Sequence, residues 1–119
     1  MAESSTAAAR LTAERDATAA RLARLRHDFA AIITASTDSN GDDEHDPEGS
    51  TIAFERAQVG ALIEQTELHL AETDAAQDRI DAGTYGRCES CGRTIAPARL
   101  EARPIARTCI DCAERVDPT

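Results

Sequence analysis

Apolar positions recur at alternating steps of four and three residues in two long stretches of the chain. In the first, Leu11, Arg15, Thr18, Leu22, Leu25, Phe29, Ile32 and Ser36 mark a heptad seam, richest in apolar side chains from Leu22 to Ile32. Residues 6–36 contain neither Gly nor Pro, so the spacing predicts one continuous helix there. In the second, Ile52, Arg56, Val59, Ile63, Thr66, Leu70, Thr73, Gln77 and Ile80 repeat the pattern, predicting a helix over 51–82. Ser50 or Thr51 can cap its start, Glu55 complements its dipole, and Gly83 follows as a left-handed terminator. Between them, residues 37–50 hold the turn signal Asn40-Gly41 and the breakers Pro47 and Gly49, and are expected to form a loop. Two helices of similar length with matching seams and a short connection should fold back as an antiparallel hairpin, each arm about 40 Å long at 1.5 Å per residue.

Composition narrows the picture. Of 119 residues 41% are hydrophobic, but 24 of these are Ala, Trp is absent, and there are two Phe and one Tyr. So few large side chains cannot fill a thick globular core, whereas paired Ala-rich helices need little filling. No apolar run is long enough to cross a membrane. The net charge of −9 argues against a protein whose main task is coating nucleic acid. All thirteen basic residues are Arg. Six acids and no base lie between Asp38 and Glu48, whereas Arg87, Arg93, Arg99, Arg103, Arg107 and Arg115 cluster near the C-terminus.

The four cysteines carry the chemistry. Cys88-Glu89-Ser90-Cys91 and Cys109-Ile110-Asp111-Cys112 form C-x2-C pairs separated by seventeen residues, a spacing that closes a tetrahedral four-sulfur zinc site. Gly92 follows the second cysteine, where a backbone without Cβ can complete a tight turn, and Gly86 precedes the first as a second hinge. Disulfides are the competing reading, but the polar start Met1-Ala2-Glu3-Ser4 lacks the apolar core of a secretory signal, and a cytoplasmic location is expected. A thioredoxin-like pair would need a βαβ context, which the pattern does not predict. With four protein ligands no position remains for a reacting water, so one structural Zn²⁺ per chain is expected, held by Cys88, Cys91, Cys109 and Cys112. The fold class is thus mainly α: a long antiparallel helical hairpin (coiled coil) over 6–82 with an acidic loop at 37–50, then a small four-cysteine zinc-finger lobe over 83–116. Within the lobe, Thr94–Pro97 should make a short strand or turn, Ala98–Ala102 one helical turn, and Cys112–Val116 a brief helix.

Gly83-Thr84-Tyr85-Gly86-Arg87-Cys88-Glu89-Ser90-Cys91-Gly92, followed by Ile95, Arg99-Leu100, Ala102-Arg103-Pro104 and Cys109-Ile110-Asp111-Cys112, resembles the zinc-finger signature of the TraR/DksA family. The likeness is dense over 83–113, and the hairpin before it is similar in layout to the family's coiled coil. The resemblance implies a regulator that binds bacterial RNA polymerase, with the coiled coil entering the secondary channel and the zinc lobe remaining outside. It also implies acidic tip residues in a D-x-x-D-x-A pattern that approach the catalytic centre. Asp43-Glu44-His45-Asp46-Pro47-Glu48 is the nearest match, with Glu48 standing where the pattern has Ala. Asp42, Asp43, Asp46 and Glu48 are therefore the expected tip residues.

Three other functions compete. A DNA-binding zinc module would show duplex affinity that falls steeply with salt, and the charge and the lack of a basic recognition helix oppose it. A structural adaptor would be indifferent to Asp43 and Asp46. An enzyme is not expected, because the chain has no nucleophile–base set, no phosphate-cradling loop and no open metal position. A monomer is expected, since both heptad seams lie in one chain. His27 and His69 fall just off the seams and should be surface residues; His45 should be an exposed loop residue.

Overall fold

Two long helices occupy most of the chain: α1 spans Ala2–Asp38 and α2 spans Pro47–Ala82, and two short ones, α3 (Pro97–Ala102) and α4 (Ile110–Arg115), follow. This is a computed structural model; it describes the backbone of residues 2–38 and 47–115, and the side chains of 6–35, 37 and 51–115. Among the described residues the only β pairing is an isolated antiparallel bridge between Arg87 and Thr94. No described helix is long and apolar enough to cross a membrane.

Both long helices exceed their expected bounds, which leaves only 39–46 of the expected 37–50 loop outside described helix. Pro47 opens α2 rather than preventing it. At the first helical position the missing N–H is one that no carbonyl would accept, and the fixed φ already suits a helix. Pro97 does the same for α3, one residue earlier than the expected turn at Ala98. At the other end of α2, Gly83 has φ 78°. Its N–H bonds the carbonyl of Ile80 at 3.1 Å, and the Thr84 N–H reaches back to Arg79 at 2.9 Å. That pair of bonds is a Schellman motif, whose left-handed residue falls to Gly because it has no Cβ.

The chain divides into two compact units: residues 1–15 with 71–119, and residues 16–70. In the first, α1 and α2 run antiparallel. Arg15 Nε meets the Asp74 carboxylate at 2.6 Å, and Gln77 Nε2 donates to Thr12 Oγ1 at 3.2 Å, so three steps back along α1 match three steps forward along α2. Between these polar contacts Leu11, Thr73 and Ala76 are fully buried and Ala7 nearly so. In the second unit Arg26 donates to Glu67 at 2.7 Å. Phe29 lies over Gly60, where an added Cβ would be 3.7 Å from the ring. Leu22, Thr18 and Thr66 are buried there.

The expected seam thus holds at Leu11, Thr18, Leu22, Thr66 and Thr73. Arg56 is exposed, and Ala76, one position from the expected Gln77, is the buried residue. A threonine on a helix seam must satisfy its hydroxyl. Thr66 does so locally, donating to the Leu62 carbonyl one turn back at 2.7 Å. His27 is exposed as expected, while His69 is half-buried and engaged.

The contacts differ in weight. The Arg26–Glu67 pair is about half exposed on both sides and should contribute at most about 0.5 kcal/mol. Leu11, with no exposed surface, is the largest fully buried apolar side chain of the long helices among the described residues. Leu11→Ala should lower unfolding free energy by about 2–4 kcal/mol. Arg26→Ala should lower it by less than about 0.5 kcal/mol. Urea denaturation of the zinc-loaded protein followed by circular dichroism compares the two.

Candidate metal centre

The four-cysteine lobe is built from two backbone turns of different kinds. After the Schellman turn the chain runs into a short hairpin: Ile95 N–H bonds the Gly86 carbonyl at 2.7 Å, and Cys88 N–H bonds the Arg93 carbonyl at 2.7 Å. The turn between them closes with Gly92 N–H on the Cys88 carbonyl at 2.9 Å. Gly92 sits at φ 77° with nothing within 4 Å of a hypothetical Cβ, so glycine is required here by backbone conformation alone. This turn presents Cys88 and Cys91 on one side. The second pair uses helix geometry. Cys109 stands immediately before α4, its carbonyl accepting the Ala113 N–H at 2.9 Å, and Cys112 lies one turn on, three residues away on the same face.

Four further contacts hold the turns against each other. Glu89 N–H bonds the Arg107 carbonyl at 2.9 Å, joining the first knuckle to the approach of the second. Arg99 Nε donates to the Thr108 carbonyl at 2.9 Å. Tyr85 O–H donates to the Pro104 carbonyl at 2.8 Å, and Arg79 Nη2 reaches the Ile105 carbonyl at 3.4 Å. The segment between α3 and α4 has no secondary structure to satisfy its carbonyls, so side chains from three other places do it. Arg99 thus braces the lobe through its side chain and Arg107 through its backbone carbonyl. Arg79 and Tyr85 had no sequence signal as positioning residues beyond Tyr85 being the single tyrosine in the chain.

The four Sγ atoms lie within 4.8 Å of one another, and Cys91 Sγ is 3.8 Å from Cys109 Sγ. Sulfurs at the corners of a tetrahedron about 2.3 Å from its centre are about 3.8 Å apart, so the spacing is that of a shared zinc ion rather than of a covalent bond. All four cysteines are free of disulfides. Cys88, Cys109 and Cys112 are buried with Ile95 in one cluster, Leu100 packs against it, and Cys91 is exposed.

The electrostatics point the same way. Backbone N–H groups, chiefly that of Cys109 and then those of Cys91 and Ser90, pull the Cys88 thiol down to about 6. The backbone N–H and side chain of Arg93 lower Cys91. Cys112 is pushed up to about 12, first by the neighbouring Cys109 sulfur and then by Cys88. Four sulfurs this close cannot all release their protons without a cation among them, and a divalent ion supplies that charge. Among the described residues these cysteines are the one set of three or more potential ligands that converge.

Residues 83–118 match the model of the prokaryotic dksA/traR C4-type zinc finger. Residues 83–118 are therefore a zinc finger of the TraR/DksA type. The family's four-cysteine finger and the convergence of Cys88, Cys91, Cys109 and Cys112 together give one structural zinc. Among relatives, the RNA polymerase-binding transcription factor DksA of Caulobacter vibrioides is 44% identical over 46 residues, 39% of this chain and 32% of that one. General stress protein 16O of Bacillus subtilis is 34% identical over 79 residues, 66% of this chain and 48% of that one. The chain therefore spans between about a third and a half of the length of these curated relatives. The solved structure of transcription factor DksA2 from Pseudomonas aeruginosa matches with a TM-score of 0.82 over 97% of this chain and 83% of that chain, at 24% identity, which shows a shared fold.

Of the other expected site residues, Asp42, Asp43 and Asp46 lie outside the described residues. Glu48 falls in the first turn of α2, and its side chain lies outside them too.

Metal analysis of the purified protein should give one zinc per chain, and Cys109→Ser should lose it together with the ordered amide resonances of 83–115. Binding free energy of order 10 kcal/mol is folding energy for so small a lobe. Tyr85→Phe should keep the zinc but lower the lobe's stability by about 1 kcal/mol, because the Pro104 carbonyl loses its donor; thermal melting at fixed zinc reads the difference.

Proposed function

We propose that this chain is a non-catalytic regulator of bacterial RNA polymerase. It binds through the secondary channel with its helical hairpin and brings the carboxylates of Asp42, Asp43, Asp46 and Glu48 near the active site. The observation that carries this reading is the conjunction of a dksA/traR zinc finger with the fold of a transcription factor, DksA2. The relatives named RNA polymerase-binding transcription factors match 46 and 43 residues of this chain, and the partner is carried over from them.

Physical considerations support the reading. Two helices side by side have a cross-section of about 10 by 20 Å, narrow enough for a pore that a globule of equal mass cannot enter. The polymerase centre works through Mg²⁺, a hard cation with oxygen ligands, which carboxylates influence either directly or through bound water. Phe54 and Leu68 of α2 stand 69% and 62% exposed, large apolar surfaces of the kind a protein partner covers. The zinc is structural in this scheme, because all four of its positions are filled by the chain.

The test is transcription in vitro with purified polymerase, wild type beside an Asp43→Asn/Asp46→Asn double variant. The wild type should bind polymerase at micromolar concentration or better and change initiation. The double variant should bind equally well and lose at least about tenfold of the effect. Absence of binding by the wild type removes the proposal, and an unimpaired double variant turns it towards a passive adaptor.

A further inference from the structure

A cleft of about 630 Å³ opens in the first compact unit, between the N-terminal turns of α1 and the four-cysteine lobe. Its volume falls within the range of about 300–1,000 Å³ in which small-molecule sites lie. Apolar side chains from both sides form its floor: Ala7 from α1, and Ile95, Pro97 and Leu100 from the lobe. Arg10 and Arg87, both exposed, line it from opposite partners, one on α1 and one on the first knuckle. The half-buried Tyr85 also lines the cleft. Glu101 of α3 also lines the cleft.

We propose that this cleft is a binding site for a small organic monoanion with an apolar body: a carboxylate, sulfonate or similar group on an aliphatic or aromatic frame. Arg10 and Arg87 both line the cleft, and a guanidinium fork suits a planar or tetrahedral oxyanion, to which it donates paired N–H bonds. The floor of Ile95, Leu100 and Pro97 and the Tyr85 ring suit the apolar body. Glu101 limits the charge. Together with a chain of net charge −9, it repels polyanions, so nucleic acid does not fit the cleft.

The site is pre-formed by the metal centre. Ile95 is buried in the same cluster as Cys88, Cys109 and Cys112, and Leu100 packs against that cluster. Gly86 keeps the wall low: a Cβ there would stand 3.3 Å from Leu100 Cδ1. Since the floor exists only when the lobe is folded, occupancy of the cleft and retention of zinc must favour each other. This inference concerns the isolated chain and does not rest on polymerase binding.

The test uses the zinc-loaded full chain and two probes sharing one body, 1-anilinonaphthalene-8-sulfonate and the uncharged N-phenyl-1-naphthylamine. The sulfonate should bind saturably and shift the amide resonances of Gly86, Arg87, Ile95 and Leu100. Arg10→Ala/Arg87→Ala should weaken it by about tenfold or more while changing the neutral probe by less than about twofold. Thr6→Trp, which fills the cleft from an exposed helical position, should exclude both. Glu101→Gln should tighten the sulfonate, a gain that partial unfolding cannot imitate. Resonance shifts confined to other surfaces, or sulfonate affinity unchanged in both the double-arginine and Glu101 variants, would overturn the proposal.

Discussion

Four sulfur atoms held within one coordination sphere are the constraint on which the C-terminal lobe of this molecule depends. The residues after α2 include almost nothing that folds by itself: two six-residue helices, one isolated bridge, and three glycines at positive φ. The lobe's buried apolar cluster is three cysteines and Ile95, with Leu100 beside them. Without a shared cation those sulfurs repel as they ionise, and the cluster has too little apolar surface to close without them. With the cation, each sulfur is at once ligand and core residue. The hairpin turn and the start of α4 are then fixed relative to each other, and the carbonyls between α3 and α4 find Tyr85, Arg79 and Arg99 waiting.

The helix pair is governed by a different balance. Its seam is made of Leu, Ala and Thr rather than of Leu and Ile throughout. Small residues let the backbones approach, but they bury little apolar area per turn. The seam's threonines are tolerable because a helix supplies an acceptor one turn back, as Leu62 does for Thr66. Specific register then comes from polar pairs that flank the seam, Arg15 with Asp74 in one unit and Arg26 with Glu67 in the other. Such pairs add little stability in water, but a shifted register would set these charges against the wrong neighbours.

Much of this was legible in advance, for identifiable reasons. The C-x2-C pairs announced their chemistry because ligand identity and spacing nearly exhaust the requirements of a tetrahedral site. Leu11, Leu22 and Thr66 were readable because helical periodicity projects directly onto burial. Less legible were the helix starts. Pro47 read as a breaker and Pro97 as the end of a short strand or turn, yet a proline can open a helix at its first position, and only the fold says which position it holds. Ala76 and Gln77 lie three and four residues after Thr73, both on its side of the helix, so periodicity alone could not choose between them.

The amino-acid sequence by itself determined the metal, its ligands, the two helices and the glycine that ends the second, because each depends on local spacing or backbone conformation. Tertiary structure alone decided what depends on distant segments meeting. Tyr85 found Pro104, Arg99 found Thr108, and Arg10 came to share a cleft with Arg87. Those meetings join positions separated by up to most of the chain's length. No periodicity encodes them, because they follow from how the antiparallel helices return α1 to the lobe and from where four sulfurs can share one ion.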